Sequence, residues 1–179
     1  EAAGFSSERL KRLDKAMNEW VDKGYMNGGA ALIIRDGKIA YYKANGFNDL
    51  DTKAPLQKDG IFRIASQTKA ITSVAIMMLF DEGKLLLTDP VSMYIPSFKK
   101  QSVLVNFNPA DTSYTTVPAK REITFRDLLT HTSGIDYAAI GTEEMQAIYA
   151  KAGVPSGLGF FNANLLEKMN VLAKLPLKN

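Results

Sequence analysis

Residues Ser66 to Phe80 read SQTKAITSVAIMMLF, and Lys69 is the one charged residue among them. Ala70, Ile71, Val74, Ala75, Ile76, Met77, Met78, Leu79 and Phe80 leave a helix over this stretch without a polar face. A helix that is apolar all round belongs in an interior. The expectation is therefore a helix buried on all sides, which requires layers of structure around it. The 179 residues, 46% hydrophobic and 23% charged, hold enough apolar material for a sizeable core.

The segments around it can be read from period and punctuation. Ser6 caps a first helix, with Phe5 and Leu10 at staple spacing. Leu10, Leu13, Met17, Trp20 and Val21 follow at helical period, and Gly24 ends the run. Ala30 to Arg35 and Lys38 to Ala44 are strand-like, joined by Asp36-Gly37, a two-residue hairpin signal. Asp49 to Gly60 reads as a loop, and Ile61 to Ala65 as a short extended approach. Asp89-Pro90 starts a short helix that ends near Tyr94. Pro96 to Arg121 is an irregular arm in which Val103–Phe107 and Tyr114–Val117 can pair. Thr124 and Asp127 form a capping box for a helix that stops around Gly134. Thr142 to Ala152 and Ala163 to Lys174 are two further helices. A two-stranded hairpin is not stable alone. The one at Asp36-Gly37 must pack on helices or find partner strands elsewhere.

The sharpest chemical feature is Ser66-Gln67-Thr68-Lys69. Serine and lysine three residues apart on a helix share a face. Ser66 falls at the helix start, where free backbone N–H groups favour developing negative charge. A lysine among apolar neighbours is poorly solvated, which favours its neutral amine. A neutral amine beside a hydroxyl can take its proton, and the alkoxide can attack a carbonyl. Taken alone, the pattern also fits an N-cap serine followed by a snorkelling lysine. It occurs a second time, at Ser97-Phe98-Lys99-Lys100, where polar neighbours would leave the lysine solvated.

Other residues narrow the choice less. His131 is the only histidine, so no histidine cluster supports a metal site, and a place at a helix end explains it. Tyr137, Tyr149 and the remaining tyrosines read as packing residues. The chain has no cysteine, which excludes disulfides and thiolate chemistry without deciding the compartment. The formal net charge of +3 is spread along the chain, with Lys99–Lys100 and Lys120–Arg121 as its densest points. Nucleic-acid or membrane-surface binding calls for longer basic clusters, and no run approaches the length of a membrane span. The chain opens at Glu1 without a methionine, consistent with removal of a leader.

Several stretches together carry a family resemblance. They are Phe5 to Leu10, Arg35 to Lys38, Ile61 to Ser73, Asp81 to Leu85, Asp89 to Val91, Tyr94 to Pro96, Val117 to Arg121, and Ile123 to Gly134. The sequence resembles the class C β-lactamase-related serine hydrolases, which include penicillin-binding proteins, over nearly its whole length. The resemblance implies an α/β (α+β) fold with an antiparallel sheet flanked by helices, a helical region beside it, and an active site between them. It implies an acyl-enzyme on Ser66 with Lys69 as proton acceptor. The backbone N–H of Ser66 would be half of the oxyanion hole. No cofactor is expected. Carboxylic esters, β-lactams and peptides ending in D-amino acids are the candidate substrates. The expected location is the periplasm, the cell envelope or outside the cell, with the cytoplasm left open. A non-catalytic domain that senses cell-wall fragments in the same cleft is the alternative.

The family pattern also calls for a Tyr-x-Asn or related motif and a late strand bearing Lys-Thr-Gly or His-x-Gly. Tyr25-Met26-Asn27 matches the first in letters but precedes the nucleophile, and His131-Thr132-Ser133-Gly134 is a helix end. The expectation is that both motifs lie beyond Asn179. Residues 1–179 would then be the N-terminal part of one catalytic domain, completed by a C-terminal segment of the same protein. Residues 1–95 would contribute the first helix, hairpin and nucleophile helix, and residues 96–179 the arm and the start of the helical region.

Overall fold

The computed structural model describes residues 3–157 and 161–178. The chain forms two compact units, Glu1–Ala65 and Ser66–Asn179.

In the first unit, helix α1 spans Ser7–Asp22, with the Ser6 hydroxyl accepting a hydrogen bond from the Arg9 N–H at 3.3 Å. Strands β1 (Gly28–Arg35) and β2 (Lys38–Asp49) pair antiparallel as expected. Asp36 and Gly37 both take left-handed φ, 47° and 69°, which a tight two-residue turn matched to strand twist requires. Strand β2 extends beyond Ala44, and Ala54–Pro55 pairs with it as β3, giving a sheet of order β1-β2-β3. The stretch read as a loop thus supplies a third strand. Two residues are too few to show alternation, and proline is at home on such an edge.

Helix α1 and strand β2 meet through polar groups. Tyr41, Lys43 and Asn45 alternate onto one face of β2, and Asp14 and Asn18 lie one turn apart on α1. The Tyr41 hydroxyl donates to Asp14 Oδ1 at 2.6 Å, Lys43 Nζ to Asp14 Oδ2 at 2.5 Å, and Asn45 Nδ2 to Asn18 Oδ1 at 2.7 Å. The Tyr41 ring and Met17 are buried beside them.

In the second unit, a 3-10 turn at Ala65–Gln67 leads into α2, Thr68–Asp81. The β4 (Ser102–Asn108) and β5 (Ser113–Pro118) hairpin forms where the sequence suggests. Helices α3 (Phe125–Leu129), α4 (Glu143–Lys151) and α5 (Leu165–Leu172) follow. Val91, Phe98, Ile123, Ala173 and Leu177 make one core cluster, and Met145, Ile148 and Tyr149 another; Leu172 packs against both. The last described residues are tied to β4. Leu104 N–H donates to the Leu177 carbonyl at 2.9 Å, and Leu177 N–H to the Ser102 carbonyl at 2.8 Å.

Three expectations are corrected here. Helix α2 is not buried: none of its residues reaches that state, and Ile71, Val74 and Met78 are 62%, 61% and 59% exposed. Its composition states which surroundings it suits, but the described residues build their two cores elsewhere. The short helix after Asp89-Pro90 is a 3-10 turn, Val91–Met93. The Asp89 carboxylate turns back to accept from the Leu86 N–H at 2.7 Å instead of capping forward. Helix α3 ends at Leu129, well before Gly134, because His131 adopts left-handed φ of 57° and Thr132 N–H closes onto the Asp127 carbonyl at 2.8 Å. No helix among the described residues is long and apolar enough to cross a membrane.

The capping box of α3 is also an ion-pair site. Asp127 is buried, and its carboxylate accepts from Thr124 N–H at 2.8 Å and from both Arg121 guanidinium nitrogens, at 2.5 and 2.9 Å. The Arg121 bonds hold the carboxyl well below the usual carboxylate range, outweighing the opposing effect of burial, with Thr124 adding to them. A depressed acid stabilises the fold above its unfolded pKa of about 4, and that contribution fades as pH falls below it. Asp127→Ala should lower stability by about 2 kcal/mol in urea melts at neutral pH, through lost cap and lost pairing. It should also flatten the acid side of the stability–pH curve.

Tyr41 behaves oppositely. Burial first, then its bond to Asp14, push the phenol up to about 12. Its contribution is present below the unfolded value near 10 and is lost as pH rises through it. Absorbance titration should show one tyrosine ionising after the other exposed ones, and Tyr41→Phe should remove that late step.

Candidate active site

Extended backbone turns into helix at Ala65, and it does so under strain. The sequence suggests an extended residue there, but Ala65 has φ of 43°. For an L-residue this left-handed conformation costs roughly 1–2 kcal/mol, and such outliers cluster at functional sites. Ser66 follows within the 3-10 turn and is exposed; Lys69 stands in the first turn of α2 and is half-buried.

The two residues meet as their spacing suggests. Lys69 Nζ lies 3.1 Å from Ser66 Oγ, donating to it as drawn with the ammonium charged. The same separation allows the proton to pass the other way once the amine is neutral. The surroundings differ from the expected apolar enclosure, because α2 is exposed along its length. Instead, the Tyr137 ring lies beside the amine, its centroid 5.5 Å from Lys69 Nζ. Tyr137 was expected to serve only packing. No local pattern connects it with Lys69, since it comes from the loop after α3 and only the folded chain brings it there. Tyr149, by contrast, does pack: it is 1% exposed in a core cluster.

The second Ser-x-x-Lys copy is used structurally. Ser97 Oγ donates to Asn170 Oδ1 at 2.7 Å, and Lys100 is exposed. His131 closes α3 on an exposed turn, as its place at a helix end suggests. Among the described residues, no group of three or more His, Asp or Glu side chains converges as a metal-ligand set.

Comparison with known proteins places this geometry. A family model described as Beta-lactamase matches residues 13–177. Protein Rv1367c of Mycobacterium tuberculosis is 37% identical over 145 residues, covering 80% of this chain and 35% of its own length. Esterase EstB of Burkholderia gladioli is 32% identical over 166 residues, covering 93% of this chain and 38% of its own. Among solved structures, EstCE1, titled a hydrolase with promiscuous acyltransferase activity, superposes with a TM-score of 0.77 at 28% identity, covering 95% of this chain and 41% of its own. The chain thus spans little more than a third of the length of these curated relatives. With an antiparallel sheet, helices and a Ser-x-x-Lys pair at the start of α2, and with the family model matched across nearly all its residues, the chain belongs to the beta-lactamase family.

Proposed function

We propose that this chain carries the nucleophile and base of an acyl-transfer site, and that the whole protein hydrolyses or transacylates a small ester or amide. Ser66 Oγ attacks the substrate carbonyl while its proton passes to the Lys69 amine, leaving a tetrahedral oxyanion and a lysine ammonium. The backbone N–H of Ser66 is one donor to that oxyanion. Collapse of the intermediate expels the alcohol or amine, which takes the proton from Lys69, and leaves an acyl group on Ser66. Water or a second alcohol then attacks the acyl-enzyme, with Lys69 again taking the proton, and Ser66 is released.

The observation that carries this reading is the 3.1 Å contact between Lys69 Nζ and Ser66 Oγ at a helix start. The strained Ala65 immediately before the serine adds to it. The names of EstB and EstCE1 favour carboxylic esters over β-lactams and D-amino-acid peptides as the substrate class. The exposed apolar side of α2, at Ile71, Val74 and Met78, is the surface on which we expect a further C-terminal segment of the same protein to pack.

A fluorophosphonate probe should label Ser66 in the whole protein, located by mass spectrometry of the modified peptide. Ser66→Ala should abolish labelling and ester turnover with the circular dichroism unchanged. Lys69→Ala should slow acylation at least about a hundredfold, the range a lost general base removes. A wild-type protein that stays unlabelled beside a labelled serine esterase would favour the non-catalytic sensing domain instead. Near-normal rates in Lys69→Ala would refute the base assignment.

A further inference from the structure

A lysine side chain is a poor base unless something limits where its amine goes. Its four-carbon stem carries about 2 kcal/mol of rotamer entropy, whereas proton transfer needs the amine within hydrogen-bond reach. On an exposed helix the apolar enclosure expected from the sequence is not there to confine Lys69. The Tyr137 ring is a described neighbour of the amine besides Ser66, at a distance inside the range for cation–π attraction.

The loop bearing that ring is locked. The Asp136 carboxylate accepts from the Tyr137 N–H at 2.7 Å, from the Thr142 N–H at 2.9 Å and from the Thr142 hydroxyl at 3.0 Å. The Asp136 N–H donates to the hydroxyl of buried Tyr149 at 3.2 Å. A Cβ at Gly141 would stand 2.4 Å from the Tyr137 carbonyl oxygen and 2.5 Å from Asp136 Oδ1, so only glycine permits this closure. Gln146 Nε2 holds the Gly141 carbonyl at 2.6 Å. The ring itself is 43% exposed, so this bonding secures the backbone beneath Tyr137 and not a buried side chain.

We infer that Tyr137 is a positioning residue for Lys69, its ring holding the amine against Ser66 and stabilising the ammonium that forms as the serine proton is transferred. This rests on the acyl-transfer reading above. An aromatic face suits the task better than a carboxylate. It attracts the ammonium but offers no strong proton acceptor that would compete with the serine hydroxyl. Because the attraction grows as charge develops on the amine, it acts on the rate step more than on substrate binding.

The test uses the whole protein with p-nitrophenyl acetate. Tyr137→Leu should lower kcat about tenfold with KM changed by less than about twofold, and Tyr137→Phe, which keeps the ring, should restore kcat. In the NMR spectrum, the Lys69 Cε protons should be shifted upfield by the ring in wild type and Tyr137→Phe, and should lose that shift in Tyr137→Leu. Equal kcat in wild type and Tyr137→Leu would overturn the inference while leaving Ser66 and Lys69 in their roles. If the leucine variant does not fold, a wild-type Lys69 without the upfield shift overturns it equally. A wild-type protein that never acylates on Ser66 would overturn the acyl-transfer reading itself.

Discussion

The contact between Lys69 and Ser66 depends on where the chain changes from irregular to helical backbone. Ala65 is forced into left-handed φ, Ser66 falls in a 3-10 turn, and the α-helix begins at Thr68. One turn of helix then places an amine beside a hydroxyl at 3.1 Å. Shifted by a residue, the helix start would turn serine and lysine onto different faces, since only positions three or four apart are neighbours. The strain at Ala65 is thus coupled to the placement of the reactive pair. The packing of the second unit must hold it there.

That packing is distributed between apolar clusters and a few buried polar anchors. Val91, Phe98 and Ile123 join Ala173 and Leu177 across the length of the unit, so residues distant in sequence close one core. Asp127 links the arm to α3 by joining Arg121 and Thr124 on one carboxylate. Asp136 performs a similar service before α4, where burial works to raise its carboxyl and the bonds from Thr142 and Tyr137 outweigh it, leaving it below the usual range. Each carboxylate satisfies backbone N–H groups at a helix start or turn that would otherwise go unpaired. The loop between α3 and α4 is therefore held from both ends, and Tyr137 lies within it.

Much of the local structure was legible because it rests on short-range rules. The Asp36-Gly37 turn follows from residues that tolerate positive φ, the Thr124–Asp127 box from side chains that reach their own backbone, and the Ser66–Lys69 pair from helical spacing. The failures share a cause as well. Strand β3 is two residues long and carries no period of its own. Asp89 chose a backward hydrogen bond to Leu86, which competes with capping at nearly equal energy. The apolar run of α2 was taken to show burial, but burial belongs to neighbours and not to composition.

The sequence by itself determined the family, the serine–lysine pair and most element boundaries. Turn chemistry, capping and helical spacing act over three or four residues and need no partner. Only the tertiary structure decided that α2 stands exposed and that the Tyr137 ring lies against Lys69. It also decided that the last described residues bond to β4 at Ser102 and Leu104. Those outcomes depend on contacts between residues tens of positions apart, where no local period or propensity carries information and the packing of the whole unit selects the geometry.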